Sequence, residues 1–254
     1  MKNPYPTRKR PVYEFFTFAG KSSLDFLINL GNASVLDKRA ERDYTSIAIP
    51  GRNGELTIDG GKYKNVVGDI ELKIGNGLEV NLSAFADFLA GYRSYERWED
   101  TFHPDEFRKV RILGGFDPSF VRQNGGTFKM RIDAMPQRWE KRGEIPIVID
   151  GSLTLINRNN EEAEPLFVMT GNGNTITITI NTWDSVRIPD ANGEIVVDSQ
   201  MKTITQNGAD ILSRCTFSPS LVTKNYFPKL EPGSNEITIQ GSTAARIVPR
   251  WWHR

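Results

Sequence analysis

The sequence is poor in the residues that chemistry needs. Among its 254 residues are 2 histidines and 1 cysteine. Cys215, being alone, cannot form an intramolecular disulfide, so the fold must rest on packing and backbone pairing, as in a chain folded in a reducing cytoplasm. His103 lies in a polar loop and His253 stands next to the last residue, neither within a supporting motif, so a Ser-His-Asp or Cys-His device has nothing to be built from. Zinc binding fails for the same shortage of ligands. An excess of charge is missing too: 32 basic and 31 acidic side chains leave a formal net charge of +1. That balance points neither to a nucleic-acid phosphate track nor to an anionic membrane. Met1 to Arg10 lacks the apolar run of a signal peptide, and no stretch approaches the roughly 20 apolar residues of a membrane span. The expectation is a protein that is not an enzyme, has no catalytic residues, cofactor or metal, and has no sequence-specific nucleic-acid or membrane partner.

What the sequence does have is turn chemistry and alternation. Its 22 Gly and 14 Pro imply many turns, and its 14 Phe, 7 Tyr and 5 Trp can fill a core, a balance that favours β structure. The first segment, with Pro4, Pro6 and Pro11 around Arg8-Lys9-Arg10, reads as an extended arm over residues 1–12. Tyr13 to Phe18 reads as an aromatic strand closed by a turn at Ala19-Gly20. Asp43 to Ile49 is β-branched and aromatic, Pro50-Gly51-Arg52-Asn53-Gly54 supplies a turn, and Glu55 to Ile58 resumes the alternation, which together make a hairpin. Asp59-Gly60-Gly61 reads as a second turn. Asp69 to Ile74 alternates charged and apolar residues so regularly that one face must be wet and the other buried.

One segment has helical spacing: Leu82, Phe85, Phe88, Leu89 and Tyr92 recur on one stripe after an Asn81 or Ser83 cap, with Gly91 near the end. Lys109 to Leu113 and Thr127 to Ala134 return to strand alternation, and Pro136 ends the pairing because it cannot donate to a ladder. The domain boundary is placed near Arg142 and Gly143. Beyond it, short β-prone runs recur (Ser152–Ile156, Leu166–Thr170, Thr175–Trp183, Glu194–Asp198, Thr203–Gln206, Glu236–Gln240) with no helix between them, the pattern of an all-β sandwich.

Several features resemble active sites only in part. Glu161-Glu162 with Glu164, and Glu99-Asp100, could supply two carboxylates, but their setting is turn-like, and neighbours on one strand point to opposite faces. Gly171-Asn172-Gly173-Asn174 has no helix behind it to cradle a phosphate and reads as a hairpin turn; Asp190 to Gly193 and Gln206-Asn207-Gly208 read likewise as turns. Trp98, Trp139 and Trp183 could stack on sugars if exposed, and Trp251-Trp252 either closes a sandwich or forms a contact patch.

In order along the chain, an aromatic first strand, a Gly-Lys-Ser-Ser turn at 20–23, Ile49-Pro50-Gly51-Arg52-Asn53-Gly54 with Tyr63 downstream, a sheet with a helix, a Pro136-Gln137-Arg138-Trp139 exit, then Leu155-Ile156-Asn157-Arg158 and Glu164-Pro165-Leu166 together resemble the siphophage distal tail proteins. The resemblance implies a mainly β chain: an N-terminal, β-sandwich-like belt domain with one α-helix over 13–142, then a galectin-like C-terminal β-sandwich over 143–254. It implies a virion structural protein, assembled in the host cytoplasm and located at the tail tip. There it would form a hexameric ring that joins the tail tube to the tip or baseplate, touching the major tail tube protein, the tape-measure terminus, the tail-associated protein and receptor-binding proteins. Within that picture Pro50, Gly51, Arg52, Asn53 and Gly54 are the expected oligomer contact, because the turn projects a charged tip from the belt domain. The competing reading is a carbohydrate-binding host-adhesion protein.

Overall fold

Alternation carries most of the chain into antiparallel strands. The structure is a computed structural model and describes residues 14–75, 78–114, 120–122, 125–181, 184–218 and 227–254. The arm, Tyr13 and Trp183 lie outside the described residues. The chain divides into two compact units, Met1–Arg138 with Arg254, and Trp139–His253.

The strands of the first unit are β1 (Phe16–Phe18), β2 (Lys21–Ser22), β3 (Ile28–Asn32), β4 (Arg42–Ala48), β5 (Glu55–Tyr63) and β6 (Val66–Ile74); helix α1 (Leu78–Ala90) is followed by β7 (Glu96–Asp100), β8 (Glu106–Ile112), β9 (Phe120–Arg122) and β10 (Gly125–Ala134). Eight of these strands belong to one curled sheet, seven in the order β2-β1-β7-β8-β10-β6-β3 and β9 paired with the start of β10. The charged-apolar alternation of β6 works as its pattern requires: Ile70, Leu72 and Ile74 are buried, and they pair in register with β10, Leu72 opposite Phe128 and Ile70 opposite Met130. Lys129 and Arg131, between those buried residues, face solvent.

Helix α1 lays its stripe over this sheet. Phe85 is fully buried and Leu89 nearly so. Around Phe85 lie the rings of Phe26 at 5.3 Å, Phe16 at 6.3 Å and Phe128 at 6.5 Å, while Phe16 stacks on Trp98 at 4.1 Å. The helix starts at Leu78, a turn earlier than the Asn81 or Ser83 cap suggests, because Leu82 belongs to its interior stripe. It ends at Ala90, directly before Gly91, where the helix would otherwise carry a residue about 1 kcal/mol poorer than Ala. The Asp59-Gly60-Gly61 stretch differs from the sequence reading. It lies inside β5 as an irregularity, with Tyr44 opposite Asp59 and Arg42 opposite Tyr63. Gly61 has φ +68° and a Cβ on Gly60 would stand 2.8 Å from the Asp43 carbonyl, so the two glycines permit a bulge, and the strand continues to Tyr63.

From β11 (Arg138–Glu140) the chain runs through β12 (Ile147–Val148), β13 (Ser152–Asn157), β14 (Leu166–Asn172), β15 (Ile176–Ile180), β16 (Asp184–Ile188), β17 (Asn192–Asp198), β18 (Thr203–Gln206), β19 (Ala209–Asp210), β20 (Thr216–Ser218), β21 (Gly233–Gln240), β22 (Ser242–Val248) and β23 (Trp252–His253). Two sheets, β12-β22-β14-β17-β18-β19 and β13-β21-β15-β16-β20, enclose Phe167, Ile178, Ile195, Val197, Ile237 and Ile247. This is a β-sandwich. Ile176, Ile178 and Ile180 point into it, while Thr177 and Thr179 remain partly exposed. The turns at 171–174 and 190–193 are crossovers and not hairpins, since β14 and β17 pair with each other in one sheet and β15 with β16 in the other. Asn207 (φ +51°) and Gly208 (φ +81°) do make a two-residue hairpin between β18 and β19, the conformation that Asn-Gly favours.

The buried Asn157 amide is satisfied by backbone groups of nearby loops. Asn157 donates to the carbonyls of Glu161 (2.9 Å) and Leu230 (3.2 Å) and accepts from the Asn159 amide at 3.0 Å. Phe85→Ala should cost about 3–5 kcal/mol by denaturant unfolding through cavity formation. Asn157→Ala, which removes the three hydrogen bonds of this buried amide, should cost about 1–3 kcal/mol by the same measurement.

Candidate assembly interface

The β4–β5 hairpin has no third strand among the described residues: it forms a two-stranded sheet of its own. Such ribbons are marginal in water unless something packs on them. Its register places Ile47 opposite Leu56 and Thr45 opposite Ile58. Because residues opposite one another share a face and side chains alternate along a strand, Thr45, Ile47, Ile49, Leu56 and Ile58 fall on one side. That side is uncovered: Ile47 is 43% exposed, Leu56 44% and Ile58 49%. The other side carries Tyr44, Ser46, Ala48, Glu55 and Thr57. The strip is a contiguous exposed apolar face, the kind of surface that interaction sites use.

The tip and root of the hairpin are defined by opposite chemistry. At the tip, Pro50 and Gly51 occupy the two central positions of a turn in which the Arg52 amide donates to the Ile49 carbonyl at 3.1 Å. Pro sets φ at the first position and Gly51, at φ +80°, supplies the second, as a type II turn demands. Gly54 adds another positive φ of +83°. Pro50, Gly51, Arg52, Asn53 and Gly54 are thus together on the exposed end of the ribbon. At the root, Arg42 donates to Asp59 at 2.8 Å and lies over the Tyr63 ring. Asp43 faces Lys62 and Lys64 at 3.5 and 3.7 Å, and the Lys64 amide donates to the Glu41 carbonyl at 2.8 Å.

Just before the root, the 3-10 turn Ser34–Asp37 is tied to the sheet by polar groups that the sequence did not reveal. The buried Arg108 and the neighbouring Arg138 both donate to the Leu36 carbonyl. Burial first, then the charge of Arg138, bring the Arg108 guanidinium down to about 10. His103, read from sequence as a loop residue, places its two ring nitrogens 2.9 Å from Asp100 and 2.9 Å from Asp37.

The other sequence candidates are dispersed. Glu162 pairs with Lys229 at 2.6 Å and Glu164 with Lys202 at 2.7 Å, and Glu99 is held by Arg97. Cys215 donates to the Ile211 carbonyl, and burial pushes its thiol up to about 11, leaving it protonated at neutral pH. Trp98, Trp139 and Trp251 are buried, and the Trp252 indole donates to the Glu162 carbonyl at 2.8 Å. No group of three His, Cys, Asp or Glu side chains among the described residues could hold a metal, and no described helix is long and apolar enough to cross a membrane.

No family model and no curated protein matches the sequence. A solved structure does match: the crystal structure of the Dit (gp 19.1) protein of SPP1, described as a paradigm of the hub adsorption apparatus in phages infecting Gram-positive bacteria. The TM-score is 0.64 at 11% identity, over 92% of this chain and 97% of that one. Over that share of its length the chain has the fold of SPP1 Dit.

Proposed function

We propose that the chain is a non-catalytic distal tail protein of a long-tailed phage, a hub that closes into a hexameric ring between the tail tube and the tip or baseplate. The observation that supports this best is the β4–β5 hairpin: a free-standing ribbon with an uncovered apolar face, on a chain with the fold of a phage hub protein. A head-to-tail contact that closes into a ring needs two different complementary patches on each copy, and the hairpin supplies one of them, with Pro50, Gly51, Arg52, Asn53 and Gly54 at its leading end. The first unit is the belt, and the second, a galectin-like sandwich, carries the outward surface. The major tail tube protein, the tape-measure terminus and the tail-associated protein are the partners above and below, with receptor-binding proteins on the outer domain. The virion tail tip is its location, after assembly in the host cytoplasm. A fold alone does not bring sugar binding; of the tryptophans that motivate the adhesin reading, Trp251 is buried, Trp252 is half-buried with its indole bonded to the Glu162 carbonyl, and Trp183 lies outside the described residues.

Native mass by multi-angle light scattering tests the reading: the full chain should reach the mass of a hexamer, alone or with its tail partners, and a species that stays monomeric with those partners overturns it. Ile47→Asp combined with Ile58→Asp should abolish the ring while changing monomer stability by less than about 0.5 kcal/mol, as for exposed positions. Arg52→Glu should weaken ring formation; an intact hexamer would remove the tip, though not the apolar face, from the contact.

A further inference from the structure

A cluster of titratable side chains sits at the root of the hairpin. Asp37 ends the 3-10 turn Ser34–Asp37, shortly before β4 begins at Arg42. Asp100 ends β7, and His103 lies in the turn between β7 and β8. Both imidazole nitrogens are at hydrogen-bond distance from carboxylate oxygens, 2.9 Å in each case. An ionised carboxylate only accepts, so both bonds can exist together only when the ring carries two protons. A neutral ring keeps one donor and turns a lone pair toward the other carboxylate.

The surroundings determine which bond survives. The Asp100 side chain is 4% exposed and that of Asp37 65%. Asp100 also accepts from the Trp98 indole at 3.0 Å and the His103 amide at 2.9 Å, so it is fixed. Asp37 borders an open cleft of about 390 Å³, lined also by Asn32, Ser34 and Phe102, and has room to turn away. Among the described residues, other charged groups near the cluster are Glu106 and Arg108 from β8 and Arg138 beyond β10; Glu14, before β1, accepts from Thr101. Arg108 and Arg138 are engaged by the Leu36 carbonyl; neither bonds to Asp37 in place of His103.

We propose that His103 is a proton-operated clamp on the root of the β4–β5 hairpin: as imidazolium it ties Asp37 to Asp100, and as neutral imidazole it keeps Asp100 and releases Asp37 with the chain leading into β4. The clamp stands on the geometry of the first unit alone. Its consequence, that a rising pH loosens the element that builds the ring, rests on the reading proposed above. The sign follows from the partners. The hydrogen bond to Asp100, opposed by burial and aided by the charges of both carboxylates, raises His103 above the ordinary histidine value. The stabilisation is therefore complete below that ordinary value and is lost as pH climbs through the raised one. Burial would raise Asp100, but the His103 and Trp98 donors outweigh it and hold its carboxyl below the usual range, so its share fades only as pH falls through that lowered value.

Hydrogen exchange on the full chain, from about pH 5.5 to about pH 9 on either side of the histidine range, tests the clamp. The reporters are the amides of Leu36, Lys38 and Lys64, bonded to the carbonyls of Ala33, Val35 and Glu41. Corrected for intrinsic rates, their protection should fall about tenfold with rising pH, the effect of losing one charge-assisted hydrogen bond, while the β6–β10 ladder stays protected. Asp37→Asn, whose amide can donate to the neutral ring or accept from the charged one, should flatten the dependence and hold the protected state throughout. A flat wild-type profile, a parallel loss in the ladder, or an unchanged slope in Asp37→Asn overturns the clamp. Light scattering on the same samples decides the ring separately: a chain that stays monomeric with its tail partners at every pH counts against the hub, and the exchange profile still decides the clamp.

Discussion

The long ladder between β6 and β10 is the constraint to which the rest of the first unit is referred. Val66 pairs with Ala134 and the register runs without a break to Ile74 opposite Gly126. Antiparallel pairing fixes which side chains face inward, because a slip of one residue would carry Ile70, Leu72, Phe128 and Met130 to the wet side together. That penalty holds the sheet in one register. It also gives α1 a fixed apolar bed, on which Phe85 meets aromatic rings from three separate segments of the chain.

The hairpin inherits its position from this ladder. β5 passes into β6 through Lys64 and Asn65, so one leg of the ribbon continues directly into the most strongly specified strand of the unit. The other leg has no ladder above it; the turn before it is held by Val35 and Leu36, buried in the core, and by polar anchors: the Leu36 carbonyl under two guanidiniums, and Asp37 beside His103. One root is thus set by hydrogen-bonded strands and burial, the other by burial joined to charge. The two respond to different variables, since burial is indifferent to pH across the neutral range and a carboxylate-imidazole pair is not.

Much of the architecture was legible because it is written in local periods. Thr175 to Ile180 shows its buried face in its alternation, α1 shows its stripe, and Asn207-Gly208 shows its turn through the positive φ that the pair tolerates. Features that depend on distant partners were not legible. His103 and Asp37 are 66 residues apart, and nothing near His103 marks it as anything but a loop residue. The crossovers at 171–174 and 190–193 carry the same residues as hairpin turns, and only the pairing of β14 with β17 distinguishes them. Gly60 and Gly61 read as a reversal because a bulge and a turn need the same positive φ. The uncovered hairpin face lay in view as the alternation of Thr45, Ile47, Ile49, Leu56 and Ile58, but a sequence cannot say that none of the other described residues comes to lie on it.

That face also sets a condition on the life of a single copy. A β-branched, neutral strand pair with open edges is the kind of segment on which chains stick to the wrong neighbour. Here the run is bracketed by Arg42, Asp43, Asp59, Lys62 and Lys64 at one end and by Pro50, Arg52 and the two glycines at the other, the residue types that break the growth of stacked strands. The same short stretch must therefore attract one surface and refuse all others, and its tolerance of substitution should be narrow on both counts: a more apolar ribbon would promote precipitation before assembly, and a more polar one would weaken the pull toward the intended surface.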